Sequence, residues 1–181
     1  MPSETFRTIG IDPGSRVTGI GVVETRGQSL HYIHSECVRV GAGPLGARLV
    51  AIHQRIQAVI DRFQPASGAI EKVFVSANPQ SALVLGQARG SALLALAQSE
   101  LEISEYSALE IKRAITGTGR AGKEQVQHMV RVLLGMDRKP AQDAADALAC
   151  AICHLHHAES RLRQTVAGVS VLAEDAGSAR R

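Results

Sequence analysis

The 181-residue sequence has no tryptophan, three phenylalanines, two tyrosines and only three cysteines. Three cysteines are too few, and odd in number, for a framework of disulfide bonds. No apolar run approaches the roughly 18 uncharged residues that a membrane helix needs, since Arg89 interrupts ALVLGQARGSALLALA. The start, MPSETFRTIG, lacks the basic and apolar regions of a secretory signal. These absences favour a cytoplasmic protein without a membrane segment.

Two of the cysteines lie in CAICH (150–154), which matches the spacing of covalent haem attachment, and His156 and His157 follow closely. Haem attachment normally requires export, which the N-terminal sequence argues against. A structural zinc site needs four ligands, and its second pair is usually distant in sequence. Small thiols in an Ala-rich helix are more often core residues, and core packing is what we expect here.

The chain has the length and composition of one globular domain, with 45% hydrophobic and 20% charged residues. Three strands joined by short turns are predicted in FRTIGID, VTGIGVVE and SLHYIHSECVRV. Apolar residues then recur every three or four positions over 44–64, which predicts a helix. A strand in ASGAIEKVFV, a long helix from NPQSAL, a short strand at EISEY and further helices follow. An antiparallel meander followed by alternating strands and helices predicts an α/β fold with a mixed sheet covered by helices.

The C-terminal part is expected to contain a last helix that Pro140 opens and that ends near His157. Beyond it, the segment AEDAGSARR shows no periodicity, which is typical of a mobile terminus. We therefore predict one domain over 1–157 and a flexible tail over 158–181.

Positive charge is concentrated in one stretch although the net charge is only +3. Two acids, Glu124 and Asp137, stand against seven basic residues: Lys112, Arg113, Arg120, Lys123, Arg131, Arg138 and Lys139. Such clustering suits a polyphosphate surface, and the alternative is a solvated helix face.

Within this stretch, GTGRAGKE (117–124) fits the P-loop pattern up to its last position. Glu124 stands where a Ser or Thr would bind Mg²⁺, and the loop is predicted to follow a helix instead of a strand. We therefore do not expect a nucleotide site. Lys123 and the backbone amides of the loop can still bind a DNA phosphate.

Four carboxylates stand in unusual settings. Asp12 ends an apolar strand in IGIDPG, Glu71 lies in a second apolar strand, and Asp143 and Asp146 share one helix face. A structural role in a turn would account for Asp12. A favourable position near a helix N-terminus would account for Asp143 and Asp146. Neither explains Glu71, because an unpaired buried carboxylate normally needs a cation.

These acids converge if the two strands are neighbours and the last helix packs across their ends. Ligation by oxygen alone suits Mg²⁺ or Mn²⁺. Two such ions about 3.5–4 Å apart can activate a water and stabilise the leaving oxygen of a phosphodiester. A basic surface beside such a site indicates a nuclease.

The segments GIDPGSRVTGIGVV, AIEKVFVSANPQSALVLGQARG, GKEQVQHMV and QDAADALACAI resemble the motifs of RuvC, the bacterial Holliday-junction resolvase family, from about residue 7 to 157. The resemblance implies a ribonuclease H-like fold. It also implies a homodimer with two active sites that nicks opposed strands of a four-way DNA junction symmetrically, in recombination and repair. RuvA and RuvB, the branch-migration proteins, are the partners that it implies.

The resemblance also implies roles for individual residues. Two Mg²⁺ ions per site, with Mn²⁺ as a substitute, would be bound by the catalytic acids Asp12, Glu71, Asp143 and Asp146. Lys112 and Lys123 match functional lysines near the DNA.

Phe74 matches an aromatic residue that contacts bases at the junction centre. Strand alternation would place Phe74 on the face opposite Glu71, so either the chain leaves the strand there or Phe74 belongs to the core. The helix SALVLGQARGSALLALA would form the dimer contact, with core packing as the alternative. Aromatic residues are scarce, so junction shape and phosphates should supply most of the affinity.

Two other functions deserve comparison. The phosphate loop of an actin-like or sugar-kinase-like ATPase also begins with a strand, an aspartate and a glycine turn, but that architecture needs a duplicated domain and this chain is too short. A junction-binding module without catalysis would not need four acids, and all four are present.

Overall fold

A computed structural model of the chain describes the backbone of residues 5–73 and 78–178, and side chains of these residues as far as 161. The strands are β1 (Thr5–Asp12), β2 (Val17–Arg26), β3 (Ser29–Arg39), β4 (Ser67–Glu71) and β5 (Glu102–Tyr106). The helices are α1 (Leu45–Phe63), α2 (Pro79–Gln98), α3 (Ala108–Thr116), α4 (Lys123–Leu133) and α5 (Gln142–Ser178).

The five strands form one mixed sheet in the order β3-β2-β1-β4-β5. The first three strands are an antiparallel meander. β4 then pairs in parallel with β1, and β5 pairs in parallel with β4. The predicted α/β fold with a mixed sheet is confirmed, and the parallel pairing of β1 with β4 brings the ends of these two strands to one edge.

The core lies on both faces of this sheet. Side chains of β1 alternate: Ile9 and Ile11 face the cluster that contains α1 and α2, whereas Gly10 between them faces α5. The second cluster joins the sheet to α3, α4 and α5. The sheet is therefore an inner layer between two helical layers, as expected for an α/β fold.

Glycines on the sheet allow α5 to lie against it at backbone distance. A Cβ atom on Gly19 would overlap the carbonyl oxygen of Asp143, and one on Gly10 would overlap that of Ala147. Gly21 is similarly close, since a Cβ atom there would lie 2.7 Å from the Leu148 nitrogen. This approach places the first turns of α5 over the end of β1.

The cysteines of CAICH are core residues, as expected. Cys150 and Cys153 are buried in α5 with free thiols. His154 is also buried, and its Nδ1 lies 3.0 Å from the hydroxyl oxygen of Tyr106. These contacts make the motif part of the packed core.

The structure corrects three predicted boundaries. β4 ends at Glu71, so this acid is at the strand end and not inside a longer strand. α5 begins at Gln142, and the Pro140 carbonyl oxygen instead accepts a hydrogen bond from the Gln127 amide at 2.7 Å.

The prediction that the last helix ends near His157 is wrong, because α5 continues to Ser178. Good helix formers such as Ala, Glu, Arg and Leu extend a helix without a periodic core stripe. No helix in the described part of the chain is long and apolar enough to cross a membrane.

Candidate active site

Asp12 and Glu71 are neighbours at the carboxyl ends of two parallel strands. The last registered pair of β1 and β4 is Ile11 with Ile70, and each acid is the next residue of its strand. Neighbouring strands lie about 4.8 Å apart, so the two side chains leave the sheet edge side by side. Both residues are half-buried and border solvent.

The end of β4 is fixed by α2 and β5. The Nε of Arg89 donates to the Glu71 carbonyl oxygen at 3.2 Å, and its guanidinium also pairs with Glu105 of β5. The Lys72 amide donates to the Tyr106 carbonyl oxygen at 2.7 Å. These hydrogen bonds hold the backbone at the end of β4, and the half-buried side chain of Glu71 borders solvent at the sheet edge.

Asp143 and Asp146 reach the same edge from α5. Gly19 is the β2 residue paired with Asp12, and it is also the residue on which the Asp143 backbone rests. The Gln142 amide donates to both carboxylate oxygens of Asp146, at 3.2 and 3.3 Å. The ends of β1 and β4 and the start of α5, which rests on Gly19 of β2, thus bring together the four acids that were predicted to converge.

The pKa of Asp12 is affected by each of the other three acids. Burial is the largest cause that raises the pKa of Asp12, and the charges of Glu71, Asp146 and Asp143 add to it. Together, and against a lowering by Lys123, they bring this pKa to about 8. Without a cation, Asp12 is therefore largely protonated at neutral pH.

Two further acids of the group are also shifted upward. Burial and the charge of Asp146 raise the pKa of Glu71. Burial also raises the pKa of Asp146, and Asp143 adds to it, while the Gln142 hydrogen bond lowers it. Burial is the largest cause at each of these carboxylates, and the neighbouring like charges raise the pKa values further.

Lys112 and Lys123 face this acidic group. Lys123 begins α4 and Lys112 lies in α3, and both lower the pKa values of Glu71 and Asp146. The sequence predicted these lysines near DNA, but it did not predict that both would lie within electrostatic reach of the carboxylates.

The donor set suits a hard divalent cation, because it consists of carboxylate oxygens whose charge two lysines only partly offset. Within the described residues, however, no three His, Cys, Asp or Glu side chains are arranged to hold one ion. Asp146 shows why, since its carboxylate is turned to the Gln142 amide. Ion binding requires such side chains to rotate toward a common point.

Phe74, the remaining predicted site residue, lies outside the described residues. The strand already ends at Glu71, so the chain has left it before position 74. A cavity of about 1190 Å³ lies at the other end of the sheet, between the β2–β3 turn and α4, and none of the predicted site residues lines it.

Comparison with known proteins assigns the chain to a family. The family model of RuvC, crossover junction endodeoxyribonuclease, matches residues 8–154. The chain belongs to the RuvC family. The RuvC protein of Marinobacter nauticus is 50% identical over 163 residues, which cover 90% of this chain and 93% of that protein. The RuvC protein of Azoarcus is 50% identical over 150 residues, which cover 83% and 82%.

Solved RuvC structures agree. Thermus thermophilus RuvC has a TM-score of 0.78 at 34% identity, over 86% of this chain and 96% of that chain. The same organism's RuvC in complex with Holliday junction substrate has a TM-score of 0.80 at 35% identity, over 84% and 94%. The yeast mitochondrial Holliday junction resolvase, at 11% identity and a TM-score of 0.62, shares the fold. The ribonuclease H-like fold and the enzyme class, a nuclease, are thereby confirmed.

Two contributors to this RuvC site were missed at the sequence level. Gln142 orients Asp146, and Gly19 seats α5 over Asp12. The glycines at 19 and 21 of VTGIGVV occupy alternate positions of one strand. That spacing was a readable signal that one sheet face lies against another backbone.

Proposed function

We propose that the chain resolves four-way DNA junctions as a Mg²⁺-dependent endonuclease, with Asp12, Glu71, Asp143 and Asp146 as its catalytic acids. The observation that carries this proposal is the electrostatic coupling of Asp12 to the other three acids at the carboxyl ends of β1 and β4. Burial and like charges raise the pKa values of Asp12, Glu71 and Asp146, and a bound cation would favour the ionised forms of these carboxylates.

The acids would hold two Mg²⁺ ions, which Mn²⁺ can replace. When bound, such a pair supplies an activated water and neutralises charge on the leaving oxygen of a phosphodiester. Asp12 must lose its proton to become a ligand, so metal binding releases protons and strengthens with pH. Gln142 then has to release or share Asp146, which makes it a positioning residue.

Lys112 and Lys123 have two tasks in this proposal. Their positive charges act to lower the pKa values of Glu71 and Asp146 against the raising effect of burial, which favours the ionised forms of these ligands. The same charges attract the phosphate that is to be cut. Phe74 is proposed to contact bases at the junction centre, on the resemblance to the family alone.

The enzyme is proposed to act as a homodimer that makes two symmetric nicks. The outer face of α2 supports this: Leu83 and Leu94 are 58% and 54% exposed, and Gly86 and Gly90 between them have open space at their α-carbons. These four positions share one helix face, and their small and apolar groups allow a second helix to approach. Sedimentation is expected to give twice the monomer mass.

The proposal extends to partners and place. RuvA and RuvB are the expected branch-migration partners because they would deliver the junction. A substrate of this kind implies that the protein works in the cytoplasm, where a bacterial chromosome lies.

The direct test is cleavage of a synthetic four-way junction against a linear duplex of the same sequences, each in Mg²⁺ and in chelator. We expect paired nicks in the junction in Mg²⁺ only, and little cutting of the duplex. Equal cutting of both substrates would contradict junction selectivity. Binding without any cutting would leave the non-catalytic module as the function.

A further inference from the structure

A cavity of about 620 Å³ opens between the β1–β2 loop and the start of α1. Three of its six lining residues are arginines: Arg16 before β2, Arg39 at the end of β3 and Arg48 in α1. The others are Val17, Gly41 and Ala42, so none of the six carries a negative charge. The cavity is therefore strongly cationic.

Four other arginines of the described chain form ion pairs with carboxylates. Arg7 and Arg26 both bind Glu24, Arg55 binds Glu36, and Arg89 binds Glu105. Among the residues whose side chains the structure describes, no carboxylate pairs with any of the three cavity arginines. Their charge is left for a ligand.

The backbone around the cavity also favours an anion. α1 begins without a side-chain cap and without an acid in its first turn. A cation such as Arg48 near a helix N-terminus is unfavourable on its own, because that end already carries partial positive charge. One Arg48 nitrogen donates to the Ser15 carbonyl oxygen, while its Nε is buried with no acceptor in the described part of the chain.

The cavity lies close to the acidic site. On β2, Gly19 pairs with Asp12 and Val17 pairs with Arg39. Two residues of a strand span about 7 Å, so one nucleic-acid strand can reach both places. Guanidinium groups match phosphate in charge and in bidentate geometry.

We propose that the cavity formed by Arg16, Arg39 and Arg48 binds a backbone phosphate of the DNA beside the phosphate that is cut. This inference rests on the proposed function and adds a second contact to it. Such a contact carries no base information; it fixes where the strand lies relative to the carboxylates.

The test is junction binding in chelator over a range of salt concentrations, for the wild type, Arg16→Gln, Arg39→Gln and the control Arg62→Gln. Arg62 lies in the last turn of α1, over the Phe63 ring, and its substitution removes the same charge far from the cavity. Loss of one phosphate contact lowers the log–log salt slope by about 0.9 in magnitude. We expect that change for Arg16→Gln and Arg39→Gln, and an unchanged slope for Arg62→Gln.

Slopes of both cavity variants equal to that of Arg62→Gln would overturn the inference. Both cavity side chains are exposed, so the variants should melt like the wild type, and if one fails to fold the other decides. A wild type that cuts junctions while the cavity variants bind normally would overturn the cavity alone. A wild type that neither binds nor cuts junctions would overturn the proposed function and the cavity together.

Discussion

The pKa of Asp12 depends on the other three carboxylates of the site and on Lys123. This pKa is raised from 3.8 to about 8 in the folded chain, while an unfolded chain restores the ordinary value. Between these two values the folded protein binds more protons than the unfolded one. Stability of the metal-free protein must therefore fall as pH rises through this window.

Replacing Asp12→Asn should remove most of that fall. At pH 8 in chelator the variant should be more stable than the wild type, by on the order of a few kcal/mol, and near pH 4 the difference should vanish. Thermal melts of both proteins across this pH range measure it. A variant that melts lower at pH 8 would make Asp12 a structural turn residue.

Bound Mg²⁺ should increase the stability of the folded protein, whereas ionisation of Asp12 without metal lowers it. A saturating concentration should stabilise the wild type by mass action, and Asp12→Asn distinctly less, because one ligand is lost. The same melts with and without Mg²⁺ measure the difference. Equal shifts would place Asp12 outside the metal site.

Lys123 tunes the same carboxylates from the other side. It lowers the pKa values of Asp12, Glu71 and Asp146, so Lys123→Ala should raise all three. Protons then compete with the metal up to a higher pH, and the acidic limb of the cleavage profile should move upward. The control is Lys139→Ala, because Lys139 is an exposed residue of the same basic stretch. If the acidic limbs of the two variants' pH–cleavage profiles coincide, Lys123 does not tune the carboxylates.

At the scale of elements, the site depends on how closely α5 approaches the sheet. A Cβ atom at Gly19 has no space beside the Asp143 carbonyl oxygen. Gly19→Ala should therefore displace the start of α5, lower stability by roughly 1–3 kcal/mol or more, and strongly reduce cleavage. Denaturant unfolding and junction cleavage measure the two effects.

Gly46→Ala provides the matched control, because Gly46 lies in α1 with nothing within 4 Å of an added Cβ atom. Gly46 is the second residue of α1, and alanine has a higher helix propensity than glycine, so this variant should be neutral or slightly more stable. A Gly19→Ala protein as stable and active as Gly46→Ala would show that α5 need not touch the sheet there.

Element types were predictable where local patterns were strong. The three N-terminal strands and the amphipathic α1 appear as expected. Glu71 was misplaced because an apolar run continues past the strand end, and hydrophobicity alone does not show where pairing stops. The end of α5 was missed because a helix without a core stripe leaves no periodic signal.

The grouping of the acids was predictable only in outline. The unusual settings of the carboxylates and the basic stretch could be identified from the sequence. The acids converge only if β1 and β4 are neighbours, and the sequence does not show which strands pair. The reach of Lys112 and Lys123 into the acidic group depends on how α3 and α4 pack against α5, which no local pattern encodes.

At the scale of the whole molecule, the described core ends before the predicted domain boundary. Among the side chains that the structure describes, which extend as far as 161, the last buried one is that of Leu155. A chain that stops at Ser160 should therefore keep its fold and its metal-dependent cleavage, although α5 continues to Ser178. Unfolding and junction cleavage of the shortened chain test this, and insolubility or inactivity would assign the segment a role in folding or in the dimer.

The most direct test of the account compares cutting and binding of one four-way junction by the wild type, Asp12→Asn and Asp61→Asn. Asp61 is an exposed acid of α1, and its substitution makes the same chemical change away from the site. We predict that Asp12→Asn binds the junction as tightly as the other two proteins but does not cut it in Mg²⁺, whereas Asp61→Asn cuts normally. Cutting by Asp12→Asn at the wild-type rate would contradict the claim that these four carboxylates form the metal site that hydrolyses DNA.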